Sequence, residues 1–334
     1  MKVSYPRFTC PARIRLLGFP QRSRIATPRF RFEFPSAPLS SVVSPGLIGH
    51  GEGGARYRLA HPLGTLLPGK SPNVWLALDD SKPDVEYIVR RPPGDDHEGS
   101  RSSALSAFQH ELEMQRLFAQ DPMIRRLIDY VPDSEPHGPM MVLEAFTDSL
   151  WDARNARAFT MQEIKWIMKG VLLGIFTVHM KGLVCTVSKP STREITSLTY
   201  RSPEVHFGKT WTTSTDVWSW GIILAQLLQA QVDFKSPGMY ASISTGTLAE
   251  KEITIRNQLA IDFDLASVPF YAEDERCVKM LPTPQPEEAY MWANTMVEMG
   301  VAGEDIRFLV QVLNPDPSAR LTVREILESG YLEC

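Results

Sequence analysis

The sequence predicts an α+β protein in two lobes, a small β-rich one followed by a larger helical one, and three observations carry this. Short apolar runs separated by turn-forming clusters fill residues 57–92. An apolar run at Pro139–Phe146 then closes the β-rich part, after a stretch with helical spacing. Beyond it, helix-start signals alternate with long apolar stretches to the end of the chain.

The first segment differs from the rest. From Met1 to Phe32 it carries Lys2, Arg7, Arg13, Arg15, Arg22, Arg24, Arg29 and Arg31, with no acidic residue before Glu33. It reads as a disordered basic tail. The alternative, a mitochondrial transit peptide, is opposed by Pro6, Pro11, Pro20, Pro28 and Pro35, which interrupt a long amphipathic helix. Pro, Ser and Gly from Ser36 to Gly54 read as a linker, so residues 1–55 form tail and linker, and the folded body is expected near Tyr57.

Residues 56–146 form the expected first lobe. YRLAHPL, NVWLALD and VEYIVR alternate as strands between the turn clusters LPGKSP and DSKPD. After the polar GDDHEGSRSS, Leu105, Phe108, Leu112, Gln115 and Leu117 approximate one helix face. PMMVLEAF returns to a strand and completes a small sheet carrying one helix.

Residues 147–334 form the expected second lobe. Thr160 and Glu163 read as a capping box, opening a helix that buries Ile164, Ile167, Met168, Val171, Leu172, Ile175 and Phe176. A helix from about Thr215 is apolar nearly all round and belongs at the lobe's centre. Thr322 and Glu325 form a second capping box before a short closing helix. Ala230–Pro286, rich in loops and acidic residues, reads as an irregular insert.

Composition excludes several classes. With 43% hydrophobic residues, 22% charged residues and a net charge of -4, the chain matches an ordinary globular protein, and nothing points to a nucleic-acid partner. The apolar run Ile167–Val184 is broken by Lys169, His179 and Lys181, which argues for a buried helix and against a membrane span. Cys10, Cys185, Cys277 and Cys334 show no metal-ligand spacing, so no metal site is expected, and an intracellular compartment, cytoplasmic or nuclear, follows.

The most specific motifs are Tyr200-Arg201-Ser202-Pro203-Glu204-Val205 and Asp216-Val217-Trp218-Ser219-Trp220-Gly221. Together they resemble the end of a protein-kinase activation segment and the start of the central helix of the C-terminal lobe. The YRSPEV form, with Val74-Trp75-Leu76-Ala77, resembles the SR-protein kinases, Ser/Thr kinases of the CMGC group. The resemblance spans about Tyr57 to Leu332. It implies a two-lobed kinase fold, in which Glu204 pairs with Arg320 and Asp216 holds the catalytic-loop backbone.

The same resemblance implies ATP and magnesium as the family's cofactors and a protein as substrate or partner. The nucleotide-binding positions, in vestigial form, are Gly69, Val74, Arg90 and Glu111. Aligned on Val74, Gly69 takes the second glycine position of the phosphate loop, with Leu67 and Pro72 at the other two. Arg90 stands where the family has lysine, and its larger planar head fits that position poorly. The plain alternative is that Arg90 and Arg91 are solvated arginines at a strand end. Glu111 is the candidate for its helix partner, since F-x-x-E after a polar loop matches the family pattern, and Glu113 lies about 200° around the helix from it.

No residue qualifies as catalytic. Between Ala153 and Thr215 there is no aspartate, and the sole asparagine is Asn155. Phosphoryl transfer uses an aspartate as proton acceptor, and an asparagine and a second aspartate for magnesium. Val178–Thr186 resembles the lead-in to the catalytic aspartate, while Val187-Ser188-Lys189-Pro190 looks like residues after the metal-binding one. About thirty to forty residues are missing at Thr186/Val187, judged by the usual distance to the A-P-E motif. Glu163, Glu194 and Glu204 are poor substitutes as magnesium ligands. The expected function is therefore a catalytically inactive kinase-like binding module. The alternatives are an active ATP-dependent Ser/Thr kinase whose catalytic block was omitted by splicing or by an error in gene prediction, and a chain that folds poorly without it.

Overall fold

The computed structural model describes residues 46–63, 72–92, 98–146, 149–185, 196–243, 245–283 and 291–333. The basic tail, Gly69, Glu194 and the Thr186/Val187 junction lie outside the described residues. All the elements below belong to one compact unit, Val43–Cys334.

The first lobe is a six-stranded antiparallel sheet: β1 (Ile48–His50), β2 (Arg56–Pro62), β3 (Val74–Asp79), β4 (Lys82–Arg90), β5 (Leu127–Val131) and β6 (Met140–Glu144). Its order is β1-β2-β3-β4-β6-β5. Successive side chains point to opposite faces of a strand, so alternate residues share the core. Tyr57 and Leu59 of β2, Trp75 and Ala77 of β3, Tyr87 and Val89 of β4, and Val142 of β6 accordingly pack together.

The sheet is curled. In the turn joining β1 to β2, the Glu52 N–H donates to the Tyr130 carbonyl at 2.8 Å and the Gly53 N–H to Asp129 Oδ1 at 3.1 Å. Both acceptors lie on β5, the opposite edge, so this contact covers groups that would otherwise invite strand addition. The Tyr57 hydroxyl also donates to Asp129, at 3.1 Å. Gly51 must lack a side chain because a Cβ there would overlap the Asp129 carboxylate.

Helix α1 (Glu98–Leu117) lies on the other face of the sheet, where Phe108 and Leu112 meet Met141. Strand β6 is therefore buried on both faces, which explains its unbroken apolar run. Three details differ from the sequence expectation. Leu117 is exposed and Phe118 turns inward instead. The sheet also begins at Ile48, inside the stretch read as linker, because main-chain pairing with β2 needs no side-chain pattern. Strand β5 was likewise not anticipated, as Asp129 interrupts its apolar alternation.

The second lobe contains α2 (Leu150–Ala156), α3 (Met161–His179), α4 (Pro203–His206), α5 (Ser214–Val232), α6 (Leu248–Asp262), α7 (Pro269–Ala272), α8 (Glu275–Met280), α9 (Met291–Met299), α10 (Gly303–Val312) and α11 (Val323–Glu328). Both expected capping boxes form, at Thr160/Glu163 and Thr322/Glu325. On α3, Ile164, Met168, Leu172 and Ile175 are buried, whereas Val171 is exposed.

Helix α5 is the axis of this lobe, with Trp218 and Trp220 almost wholly buried. The Trp220 Nε1–H donates to the Met168 carbonyl of α3 at 2.9 Å. On another side, Trp218 meets Phe263 at 4.7 Å between ring centres, and Phe263 stacks on Trp292 of α9 at 5.3 Å. Gly221 permits α5 to touch Val312 and Leu313, since a Cβ would come within 2.7 Å of both side chains.

The stretch read as an irregular insert is largely helical. It contains α6, α7 and α8, and α6 buries Ile255 and Leu259 against the common core. Its start is a third capping box, Thr247 with Glu250, which the acidic, loop-rich composition concealed.

Candidate functional site

Strand β4 delivers Arg90 to the edge of the cleft between the lobes, with Val74 of β3 and Met141 of β6 as its register partners. Of the four vestigial positions, the structure thus brings Val74 and Arg90 side by side. The third, Glu111, projects from α1, and its Oε1 lies 2.6 Å from Arg90 Nη1. Glu113 is exposed and faces His110 at 4.0 Å. Loss of hydration raises the Glu111 pKa, and the adjacent Arg90 guanidinium opposes that shift. Gly69 lies outside the described residues.

A second glycine-rich turn, Gly51-Glu52-Gly53-Gly54, offers no phosphate cradle. Gly51 and Gly54 N–H groups bond within the turn, to Ala55 and Gly51 carbonyls, and those of Glu52 and Gly53 are occupied by β5. The Asp129 carboxylate beside them would repel a phosphate.

Below the cleft, Asp216 in the first turn of α5 is only 4% exposed. Its Oδ2 accepts the Cys185 N–H at 2.9 Å and stands 2.8 Å from His179 Nε2, at the end of α3. The Asp216 carboxylate thus holds an N–H from the chain just after α3. His179 was visible in the sequence only as part of the lead-in motif, with no role attached.

Glu204 and Arg320 form a fork-to-fork pair, with Nη1 to Oε1 at 2.8 Å and Nη2 to Oε2 at 3.0 Å. Both side chains are fully shielded from solvent. Two charges so deeply buried need all their hydrogen bonds satisfied. Arg320 accordingly also donates to the carbonyls of Asn314 at 2.8 Å and Ser214 at 2.9 Å, and lies over the Trp218 ring. The motif is tied down further by Ser202 to Thr215 at 2.8 Å, by the Ser219 hydroxyl donating to the Tyr200 carbonyl, and by Arg201 to Glu252 of α6 at 2.7 Å. Glu252 lies in the supposed insert, so sequence reasoning could not supply this partner.

Between α1, the end of α3 and residues 183–185 lies a cleft of about 640 Å³. Arg90 and Glu111 stand on its wall, with Phe118, Ile124, Leu183 and Val184. As a donor set for magnesium the cleft fits poorly, since among the described residues Glu111 is its one carboxylate and is already paired. Glu163 is likewise engaged, by its own helix cap and by Arg157 at 2.6 Å, and Glu204 by Arg320. Among the described residues, no three His, Cys, Asp or Glu side chains converge on one point.

No curated protein matches the chain. Among family models, the one described as Protein kinase domain matches residues 182–332. That stretch contains Glu204, Asp216 and Arg320, and with the curled sheet and helical lobe the match supports a place for this chain in the protein kinase superfamily.

Proposed function

We propose that this chain is a catalytically inactive protein-kinase-like protein of the SR-protein-kinase-like, CMGC type, serving as a protein-binding module. The carrying observation is chemical: between Ala153 and Thr215 no aspartate exists to receive a hydroxyl proton or grip magnesium. The geometry supports this reading. Among the described residues, the carboxylates of Glu111, Glu163 and Glu204 are held by Arg90, Arg157 and Arg320. Arg90 preserves a strand-to-helix ion pair, while its planar guanidinium replaces the compact ammonium that suits phosphates there. These residues do not fit ATP and magnesium, and no phosphoryl-transfer step can be assigned to them.

Asp216 retains an N–H partner in Cys185, and the apolar core of the second lobe is continuous from α3 to α11. Among the described residues no helix is long and apolar enough to cross a membrane. An intracellular protein partner, with no nucleic acid involved, agrees with the net charge of -4 and with the wide spacing of the four cysteines in the sequence.

The test is direct. The purified full chain is melted with and without Mg-ATP and assayed for phosphate transfer to an Arg/Ser-rich peptide. No thermal shift and no labelling are expected, and labelling abolished by chelation of magnesium would overturn the proposal. A second reading, an active enzyme lacking its catalytic block, is favoured by the abrupt change of pattern at Thr186/Val187. It predicts messages carrying an extra coding block there, which sequencing across the junction detects.

A further inference from the structure

We propose that the outward face of α3 is a docking site for one amphipathic helix of a partner protein, apolar along a stripe and acidic beside it. Trp166, Gly170, Leu173, Thr177 and the cap residue Met180 recur at i, i+4, i+7, i+11 and i+14. At about 100° per residue these positions fall within an arc of about 80°, on the side away from the buried Ile164, Met168, Leu172 and Ile175. That is the seam spacing of paired helices, narrower than the face a core-packed helix buries. The ends of the seam are open: Trp166 is 62% exposed and Met180 63%. They stand about 21 Å apart, at about 1.5 Å of rise per residue. Between them Leu173 and Thr177 are half-buried, and a Cβ on Gly170 would meet nothing within 4 Å. A facing helix thus finds two large apolar anchors and a gap into which its backbone can settle.

Charge selects the occupant. From Ile164 to Cys185 the chain carries Lys165, Lys169 and Lys181 and no acidic residue. At the same helical advance Lys169 falls on one side of the seam and Lys181 on the other. Lys169 pairs with Glu333 at 2.7 Å, a surface contact of the weak kind that a better partner displaces. Lys165 lies over the Tyr331 ring at 4.9 Å and Lys181 over Phe118 at 5.8 Å, and neither ring cancels the charge. Among the described residues neither of these two lysines forms an ion pair. Glutamates or aspartates beside a partner's apolar stripe would meet them. A second copy of this chain fits less well, because it would set lysines against lysines. A lipid surface calls for a broader apolar face than this seam offers. The inference deepens the proposed protein-binding role and rests on it, while needing nothing from the absence of catalysis.

The experiment titrates the full chain into a fluorescein-labelled helical peptide, three copies of the heptad Glu-Leu-Ala-Ala-Leu-Glu-Ala, and follows fluorescence anisotropy. Saturable one-to-one binding is expected, and the same peptide with Lys for Glu should bind at least tenfold more weakly. Trp166→Ser and Met180→Ser should each weaken binding at least fivefold while far-UV circular dichroism and cooperative melting persist. Gly170→Gln fills the gap with a good helix former, so it should weaken binding to the same extent without lowering the melting temperature. Leu248→Ser, at an exposed residue of α6, should leave binding unchanged. The proposal is overturned by non-saturable binding, by equal affinity for the two peptides, or by unchanged affinity in the folded seam variants. Dimerisation abolished by Trp166→Ser would assign the face to a second copy, and adsorption to phosphatidylserine vesicles without peptide binding would assign it to lipid. Either result overturns the proposal as well. Substrate labelling beside intact peptide binding would remove the proposed inactivity and leave this surface standing, whereas lost peptide binding with no Mg-ATP shift would remove this surface alone.

Discussion

The Asp216 carboxylate holds the Cys185 N–H at 2.9 Å, joining the start of the central helix to the last described residue before the altered segment. The same oxygen is 2.8 Å from His179, so one buried anion organises both the end of α3 and the chain leaving it. Replacing Asp216 with Ala removes the partner of the half-buried His179 ring and of the Cys185 N–H. A loss of about 2–4 kcal/mol is expected, since bonds to a charged group contribute about 1.5–3 kcal/mol each and act together here. Urea unfolding of the variant measures it, and a change below about 0.5 kcal/mol would refute the organising role.

The Glu204–Arg320 pair makes a different prediction, because its cost lies in breaking it. Glu204→Gln or Arg320→Met alone strands a buried charge and should destabilise by about 3–5 kcal/mol. The double variant removes both charges and should be less damaging than the sum of the two. A double-mutant cycle by chemical denaturation reads the coupling, and simple additivity would show that the pair is not a unit.

Two glycines should respond in opposite directions. Gly51→Ala forces a methyl into the Asp129 carboxylate and should destabilise the first lobe by about 1–3 kcal/mol, the range for overpacking. Gly170, in the interior of α3, has open space where a Cβ would stand. Gly170→Ala should therefore stabilise by about 0.5–1 kcal/mol through helix propensity. Melting temperatures moving in the same direction for both would contradict these environments.

His206 gives a pH dependence. Burial, reinforced by the nearby Arg201 and Arg256 charges, pushes its pKa down to about 3, while its Nε2 hydrogen-bonds the Leu198 carbonyl. The unfolded chain takes up this proton near pH 6.5 and the folded chain does not. Stability contributed by the neutral ring is thus complete above about pH 6.5 and falls as the pH drops towards 3. The slope is at most about 1.4 kcal/mol per pH unit for one proton. His206→Gln should flatten the melting profile in this window. An unchanged profile would show that the ring is protonated in the folded state.

Much of the site was legible before the fold was known, for reasons that differ by residue. Glu111 was preferred to Glu113 on the F-x-x-E pattern that the resemblance supplies, and Glu111 lies 2.6 Å from Arg90. The Thr160 and Thr322 caps were legible because capping is local, needing four residues and no tertiary partner. Glu252 was not, since its partner Arg201 lies 51 positions away and neither residue carries a local pattern. Asp129 was missed for the same reason: its role is to receive Gly53 and Tyr57 across the curl of the sheet.

What the sequence alone determined is the chemistry this chain can hold: two lobes from its periodicities, and a segment without the aspartates that phosphoryl transfer requires. Those are matters of composition and spacing, which folding cannot alter. Tertiary structure decided which charges neutralise one another, how the curled sheet joins its edges, and that a cleft lies between α1 and the end of α3. The physical reason is that burial and charge pairing depend on distances between residues far apart in the chain, and only the packed fold sets those distances.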